Sequence, residues 1–290
     1  MRALPAAAAA ATASLAYAVA ERHHYRLSER RVPVAGVHGE LTVLHLSDTH
    51  LSGRNRRLRA WLDALPERLG ALPDLVLATG DLIEDNAGIE PLASALARLD
   101  ARFGRFYVLG SHDVYQSTLR GHLKYVTGRR EQVRARPAAT DVLESALRSK
   151  GWVPLTNDTT AIDSPVGRIR LTGVDDPYLR RHRTGHIGRA PDDAVAIGLM
   201  HAPDAAVVSA YALAGYDVAL AGHTHGGQVR VPFAGALVTN CSLPVGLARG
   251  LTRVGSTWLH VSPGLGTGRY TPIRFACPAE TTLLRIGRAG

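Results

Sequence analysis

Along its first half the chain alternates two apolar patterns. Residues 41–46, 75–78 and 106–109 are short β-rich apolar runs, whereas Leu58, Trp61, Leu62, Leu65 and Leu69 recur at helical spacing and a second helix is predicted over 89–99. Strand, helix, strand, helix, strand is the order of a parallel sheet with right-handed crossovers, so the fold class is α/β. A helix over 141–150, with Thr140 as its N-cap, leads into three closely spaced β-rich runs at 152–155, 160–163 and 168–172. Turn residues join these runs, which predicts antiparallel hairpins of a second sheet. Runs at 194–200, 218–221, 229–231, 258–261 and 281–286 predict the remaining strands.

Ahead of this pattern lies an alanine-rich apolar stretch, residues 3–20, interrupted by Pro5, Thr12 and Ser14. It is long enough for a marginal membrane span or a signal-peptide core, but alanine is weakly hydrophobic. Arg22, Arg26, Arg30 and Arg31 follow it, against a single Arg2 before it. A basic flank of this kind holds its side in the cytoplasm, so a weak anchor or membrane-surface helix with the main domain cytoplasmic is expected. A helix packed on the domain and an exported chain are the alternatives. The organisation read here is an N-terminal apolar segment with a basic linker over 1–35 and one domain over 36–290.

The strands end in polar residues of a restricted kind. Asp48 and His50 follow the first, Gly80-Asp81 the second, Gly110-Ser111-His112-Asp113 the third, His201 the run at 194–200, and Gly222-His223-Thr224-His225-Gly226-Gly227-Gln228 the run at 218–221. The carboxyl ends of strands are where open α/β sheets place ligands. His223 and His225, two apart, point the same way in an extended or turn segment, and the flanking glycines permit positive φ. Any one of these residues alone reads as a turn former, a helix cap or surface decoration. Together they offer oxygen and imidazole donors without thiolate, a set suited to Mn, Fe or Zn rather than to a cysteine-bound structural zinc. His45, facing away from Asp48, and His260, alternating with Trp258, are expected to pack or hydrogen-bond. His182 and His186 read as surface residues, and Asp176 and Asn240 lie near turns within reach of the same edge.

Composition narrows the partners. With 290 residues and 46% hydrophobic content, the chain buries a sizeable core. A net charge of +9 favours anionic partners: phosphorylated substrates, acidic lipid surfaces or nucleic acid. The absence of zinc-finger spacing and of an RNP-type aromatic motif argues against nucleic acid. Cys241 and Cys277 form no disulfide framework. A basic segment over 114–139 reads as a solvated insertion or as an approach to anionic substrate or membrane. No GxSxG elbow or reactive-cysteine motif competes with the metal-type residues, and nothing in the sequence sets an oligomeric state.

In order and spacing, Asp48-x-His50, Gly80-Asp81, Gly110-Ser111-His112-Asp113, His201 and Gly222-His223-Thr224-His225 resemble the calcineurin-like metallophosphoesterase superfamily, whose motifs run DxH, GD, GNHD/E, H and GHxH. The similarity spans residues 41–286 and is nearest the bacterial branch carrying SDxH and GHTHGGQ. The resemblance implies a four-layer α-β-β-α sandwich with two mixed β-sheets, and a phosphate-ester hydrolase using two divalent metal ions. One ion would be held by Asp48, His50, Asp81 and His225, the other by the bridging Asp81 with His201 and His223. A metal-bound hydroxide would attack phosphorus, while His112 stabilises the transition state or protonates the leaving oxygen and Asp113 orients its ring. The chain departs from the pattern at Ser111, which stands where the family has a metal-ligating asparagine. Serine is the poorer donor, so either Ser111 or a water held by it substitutes with weaker affinity, or the second site fills only at high metal or with substrate bound. By analogy the substrate is a phosphodiester rather than a monoester. The basic loops and apolar N-terminus point to a lipid-linked phosphate or pyrophosphate, with a soluble nucleotide diester or a catalytically impaired metal-binding scaffold as alternatives.

Overall fold

The protein was studied as a computed structural model, which describes residues 3–35, 37, 39–120, 136–231, 235, 236, 239 and 241–288. Two six-stranded sheets carry the fold. The first runs in the order β1 (Tyr25–Pro33), β14 (Ala279–Gly287), β2 (Glu40–Leu46), β3 (Leu75–Thr79), β4 (Arg105–Val108), β5 (Trp152–Pro154). Its strands pair in parallel except β14 with β2, which is antiparallel. The second runs β12 (Gly250–Val254), β13 (Thr257–Val261), β9 (Val218–Ala221), β8 (Asp193–Leu199), β7 (Gly167–Gly173), β6 (Asp158–Ser164). It is parallel at its centre with an antiparallel pair at each edge. Both sheets are therefore mixed.

Alternation along the strands builds three apolar layers. Val43, Leu75, Leu77 and Val108 of the first sheet meet Leu171, Ile197, Val218 and Leu220 of the second in an inter-sheet core. The opposite face of the first sheet, with Leu44, Val76 and Tyr107, is covered by α2 (Arg56–Asp63), α4 (Ile89–Leu96) and α6 (Thr140–Ser149) through Leu58, Leu92 and Leu143. On the outer face of the second sheet, Ala196, Ala219 and Leu259 pack against Val207 and Tyr211 of α7 (Ala205–Leu213). Helix, sheet, sheet, helix is the resulting layering. Central strand β3 is buried throughout, as a near-continuous apolar run in a two-sided parallel sheet must be.

Four local expectations are corrected. The run at 152–155 does not join the second sheet: as β5 it pairs in parallel with β4, because α6 provides a crossover between them. Its edge position tolerates Pro154, which has no N–H to give a further neighbour. The basic linker of residues 1–35 is strand β1 over much of its length, with Val32 in the inter-sheet core and Arg30 and Arg31 exposed on a charged sheet edge. The helix read over residues 58–69 breaks into α2 and α3 (Leu65–Leu69), since Pro66 cannot donate to the preceding turn. Thr140 lies inside α6 rather than capping it, and its hydroxyl donates to the Asp113 carbonyl.

The N-terminal stretch is helix α1 (Ala3–Glu21). Its last turns dock on the loop ahead of β14: the Ala18 carbonyl accepts the Arg274 N–H at 2.9 Å, and Tyr17 meets Phe275 edge-on at 5.3 Å. Leu15, Tyr17 and Val19 are nevertheless exposed. Among the described residues no helix is long and apolar enough to cross a membrane.

Candidate metal centre

The loops after β2, β3, β8 and β9 and short helix α5 (Ser111–Val114), which follows β4, converge on one edge where the two sheets meet. Three groups of donor atoms lie there, each within 4.8 Å of one another: Asp48, His50 and His225; His50, Asp81 and His112; Asp81, His201 and His223. Asp48, Asp81 and the imidazoles of His50, His201 and His223 are almost fully buried, so a cationic occupant here is shielded from water.

The local backbone is arranged for convergence at a cost. Asp48 (φ 49°), His50 (φ 40°), Asp81 (φ 49°), His223 (φ 66°) and His225 (φ 49°) all adopt left-handed conformations. That region costs a non-glycine residue on the order of 1 kcal/mol or more, and it persists where the surroundings enforce it. Close glycine packing does so here. A Cβ on Gly222 would lie 1.9 Å from Ser47 Oγ and 2.3 Å from Asp48 Oδ2, and one on Gly264 would lie 2.6 Å from Asp48 Cβ. Asp48 is also gripped directly: the His223 N–H donates to both its oxygens at 3.0 Å, and Ser47 Oγ donates to Oδ2 at 2.5 Å.

Hydrogen bonds fix which ring nitrogens face inward. His50 donates from Nδ1 to Glu84 Oε2 at 2.8 Å, and His201 from Nδ1 to the Thr79 carbonyl at 2.7 Å, so each turns its Nε2 toward the centre. His50 Nε2 then stands 3.2 Å from His225 Nε2, and His201 Nε2 stands 3.2 Å from His223 Nδ1. Facing nitrogens this close repel unless a proton or a cation sits among them, and this donor set of imidazoles and carboxylates fits a divalent cation. Asp81 joins the groups. Its Oδ1 accepts the His112 backbone N–H at 2.8 Å, while its Oδ2 lies 3.6 Å from His50 Nε2 and 3.3 Å from His201 Nε2.

The electrostatics follow from burial and charge pairing. Burial raises the Asp48 carboxyl, whereas for Asp81 burial is outweighed by His201 and His112, which hold it well below the usual carboxylate range. Burial opposes a charge on His201, yet Asp81 raises its imidazole well above the ordinary value. His225 goes the other way, held low by burial and by His50. For His112 burial is again outweighed, by Asp81 and Glu84, and its pKa rises to about 9.

Asp113 has a different role from the one expected. It does not touch His112; Oδ1 accepts the Leu82 and Ile83 N–H groups and Oδ2 the Gly110 N–H, clamping the loop after β3 to the loop after β4. The carboxylate beside His112 is Glu84, with Oε2 3.5 Å from Nδ1. Ser111 opens α5 half-buried, one residue before His112. Asp176 is fully buried beside Pro177 and Tyr178, whose ring packs tilted against that of His223 with centroids 4.9 Å apart, and burial pushes the Asp176 carboxyl up to about 7. Asn240 and most of the basic segment at 114–139, residues 121–135, lie outside the described residues.

Two supporting residues escaped the sequence reading. Glu84 binds His50, the Ser117 hydroxyl at 2.5 Å and the Arg269 N–H at 3.1 Å, and its only sequence signal is its place three residues after Asp81. Arg274 is wholly buried. Its guanidinium donates to the carbonyls of Pro263, Gly264 and Gly266 at 2.7–3.0 Å, shaping the loop that presses on Asp48.

A calcineurin-like phosphoesterase family model matches residues 41–227, the stretch that contains Asp48, His50, Asp81, His112, His201, His223 and His225. The chain belongs to the calcineurin-like phosphoesterase family. Among curated proteins this phosphoesterase is 29% identical over 257 residues to the uncharacterized metallophosphoesterase YkuE of Bacillus subtilis, an alignment covering 84% of this chain and 78% of that one. It is 27% identical over 249 residues to the phosphodiesterase YaeI of Escherichia coli, covering 84% and 81%. A bovine transmembrane protein with metallophosphoesterase domain is 29% identical over 268 residues, which are 86% of this chain and 53% of that protein. The phosphoesterase is accordingly a hydrolase of phosphate-ester bonds, and the residues gathered at its sheet edge are its candidate metal ligands.

Proposed function

We propose that the protein is a phosphodiesterase with a dinuclear metal centre. The observation that carries this reading is Asp81, whose Oδ2 lies between His50 on one side and His201 on the other while its Oδ1 is occupied by a backbone N–H. A carboxylate so placed suits a bridge between two ions. Asp48, His50, Asp81 and His225 would hold one ion, and Asp81, His201 and His223 the other, with Ser111 beside it. When bound, divalent ions supply Lewis acidity that polarises the phosphoryl group and activates water.

The chain's own residues do the rest. Asp48 and Asp81 bring the negative charge that retains the cations, and the left-handed loops keep the donors converged before ligand arrives. Glu84 holds the His50 ring through Nδ1 and keeps a carboxylate against His112. His112 stands beside the Glu84 carboxylate, with Nδ1 3.5 Å from Oε2, and its side chain is a quarter exposed, which suits it to protonate a leaving alkoxide. The preference for a diester rests on kinship with a protein named a phosphodiesterase. Hydrolysis of bis-p-nitrophenyl phosphate by metal-stripped protein titrated with Mn²⁺ is the test. Activity that rises with bound metal and falls in His112→Asn by about 10²-fold or more supports the reading; bound metal with no turnover of this diester or of a monoester favours a non-catalytic scaffold.

The exposed Leu15, Tyr17 and Val19 on α1, followed by a run of arginines, support a helix lying on the membrane surface with the catalytic domain on the cytoplasmic side and a lipid-linked phosphate or pyrophosphate as substrate. Co-sedimentation of the full chain with anionic vesicles should drop in the Leu15→Glu/Val19→Glu variant. Equal binding by the two would rule out α1 as the contact.

A further inference from the structure

An open cleft of about 850 Å³ leads away from the metal centre, with His50 and Glu84 in its lining. Its walls come from the loop after β2 and the start of α2, the loop after β3, the segment between α1 and β1, and the loop ahead of β14. Five arginines line it: Arg22, Arg54, Arg56, Arg57 and Arg269. Against them stand two carboxylates, both engaged, Glu84 with His50 and Asp85 with Arg269 at 2.5 Å. Arg54, Arg56 and Arg57 have no carboxylate partner among the described residues and are exposed. Their field reaches the opposite wall, where His23, partly buried, is held low by that burial and by Arg22 and Arg57. The metal centre itself accounts for none of this cationic lining. Like charges gathered without counter-ions are costly, and a concave patch of this kind concentrates anionic ligands.

We propose that the arginine cleft is the subsite for a second phosphate group of the substrate, so that the protein prefers pyrophosphate-linked diesters over an isolated phosphodiester. The proposal rests on the phosphoesterase reading, because the first phosphate is the one at the metal centre. Guanidinium groups suit a second phosphate, since each can offer paired N–H donors to its oxygens. Glu84 couples the two subsites physically: one oxygen holds His50, the other holds the Arg269 backbone N–H in the cleft wall. A substrate spanning both would contact elements that share this carboxylate.

The test uses the full-length Mn²⁺-loaded protein and the Arg54→Ala/Arg57→Ala variant. Two substrates are compared, a nucleoside diphosphate-sugar and bis-p-nitrophenyl phosphate. Binding of the non-hydrolysable α,β-methylene-ADP is measured by calorimetry alongside. The variant should lower the ratio of kcat/KM for the pyrophosphate diester to that for the single diester by about tenfold and weaken the analogue by about as much, mostly through KM. Arg148→Ala, an equal change of net charge per residue on the distant outer face of α6, should leave both readouts unchanged. An unchanged ratio together with an unchanged analogue affinity would overturn the cleft assignment while leaving the phosphoesterase reading in place. Failure of the wild type to hydrolyse either substrate would instead count against the phosphoesterase reading, and the calorimetry would still decide the cleft.

Discussion

Replacing Thr79 with valine probes how the fold holds Asp48. Starting from that carboxylate, Ser47 Oγ donates to Oδ2 at 2.5 Å, Thr79 Oγ1 donates to Ser47 Oγ at 2.8 Å, His45 Nε2 lies 2.9 Å from Thr79 Oγ1, and His45 Nδ1 lies 2.8 Å from His260 Nδ1. An ionised carboxylate only accepts, so every proton in the chain is assigned: His45 must carry its hydrogen on Nε2, and His260 must donate from Nδ1. All five residues are essentially excluded from solvent, and the two histidines reach across from opposite sheets. Valine keeps the shape of threonine but removes both of its bonds. The lost bonds are worth about 1 kcal/mol each, and a His45 N–H buried without an acceptor costs about 1–3 kcal/mol, so we expect a loss of about 2–4 kcal/mol after allowing for overlap between these contributions. Thr79→Ser, which retains the hydroxyl, should lose less than half as much. Urea denaturation of the metal-free proteins measures both, and nitrogen chemical shifts of His45 report its tautomer. If valine is no less stable than serine, or if His45 proves to be protonated on Nδ1 alone, the directed chain is wrong.

Three further outcomes follow from the same geometry. Gly222→Ala places a Cβ 1.9 Å from Ser47 Oγ and should weaken Mn²⁺ binding on the order of 10–100-fold while the helices stay folded, measured by calorimetry and circular dichroism. Ser111→Asn should tighten the second metal and raise activity at low Mn²⁺; unchanged stoichiometry and activity would discard Ser111 as the weak point. Burial holds His260 at about 3, below its ordinary 6.5, so the unfolded chain binds a proton that the folded one refuses as acid is added. Its stabilising contribution is whole above pH 6.5 and declines as pH falls toward 3, by about 2 kcal/mol at pH 5. The stability gap between wild type and His260→Gln should narrow by that amount between pH 7 and pH 5.

What the sequence made legible was local. Strand-end motifs could be read because the acidic and imidazole residues directly follow apolar runs; alternation and helical spacing gave the strands and helices, while the four-layer arrangement came from the family resemblance. The supports of those motifs were harder to see, because their partners are remote in the chain. Arg274 acts on a loop eight or more residues away through carbonyls, which carry no side-chain signature. Glu84 lies 34 positions from His50, and nothing local separates it from an ordinary turn acid. His45 and His260 were each expected to hydrogen-bond, but that they bond each other depends on two sheets facing one another across 215 positions. Asp113 was assigned to the imidazole beside it, whereas backbone N–H groups claim both its oxygens, those of Leu82 and Ile83 from another loop on Oδ1 and that of Gly110 from its own loop on Oδ2. Strand β5 went to the other sheet for a related reason: three residues of apolar pattern do not encode a partner, and only the preceding crossover helix decides it.

The most direct test of the account is a crystal of the full chain soaked in Mn²⁺, with anomalous scattering used to count and locate the ions in wild type and in Asp81→Asn. Two peaks flanking the Asp81 carboxylate, one beside Asp48, His50 and His225 and one beside His201 and His223, with at least one lost in the variant, is the predicted result. A single peak that leaves either group empty at saturating Mn²⁺, or two peaks that persist unchanged without the Asp81 charge, would contradict a dinuclear centre bridged by Asp81.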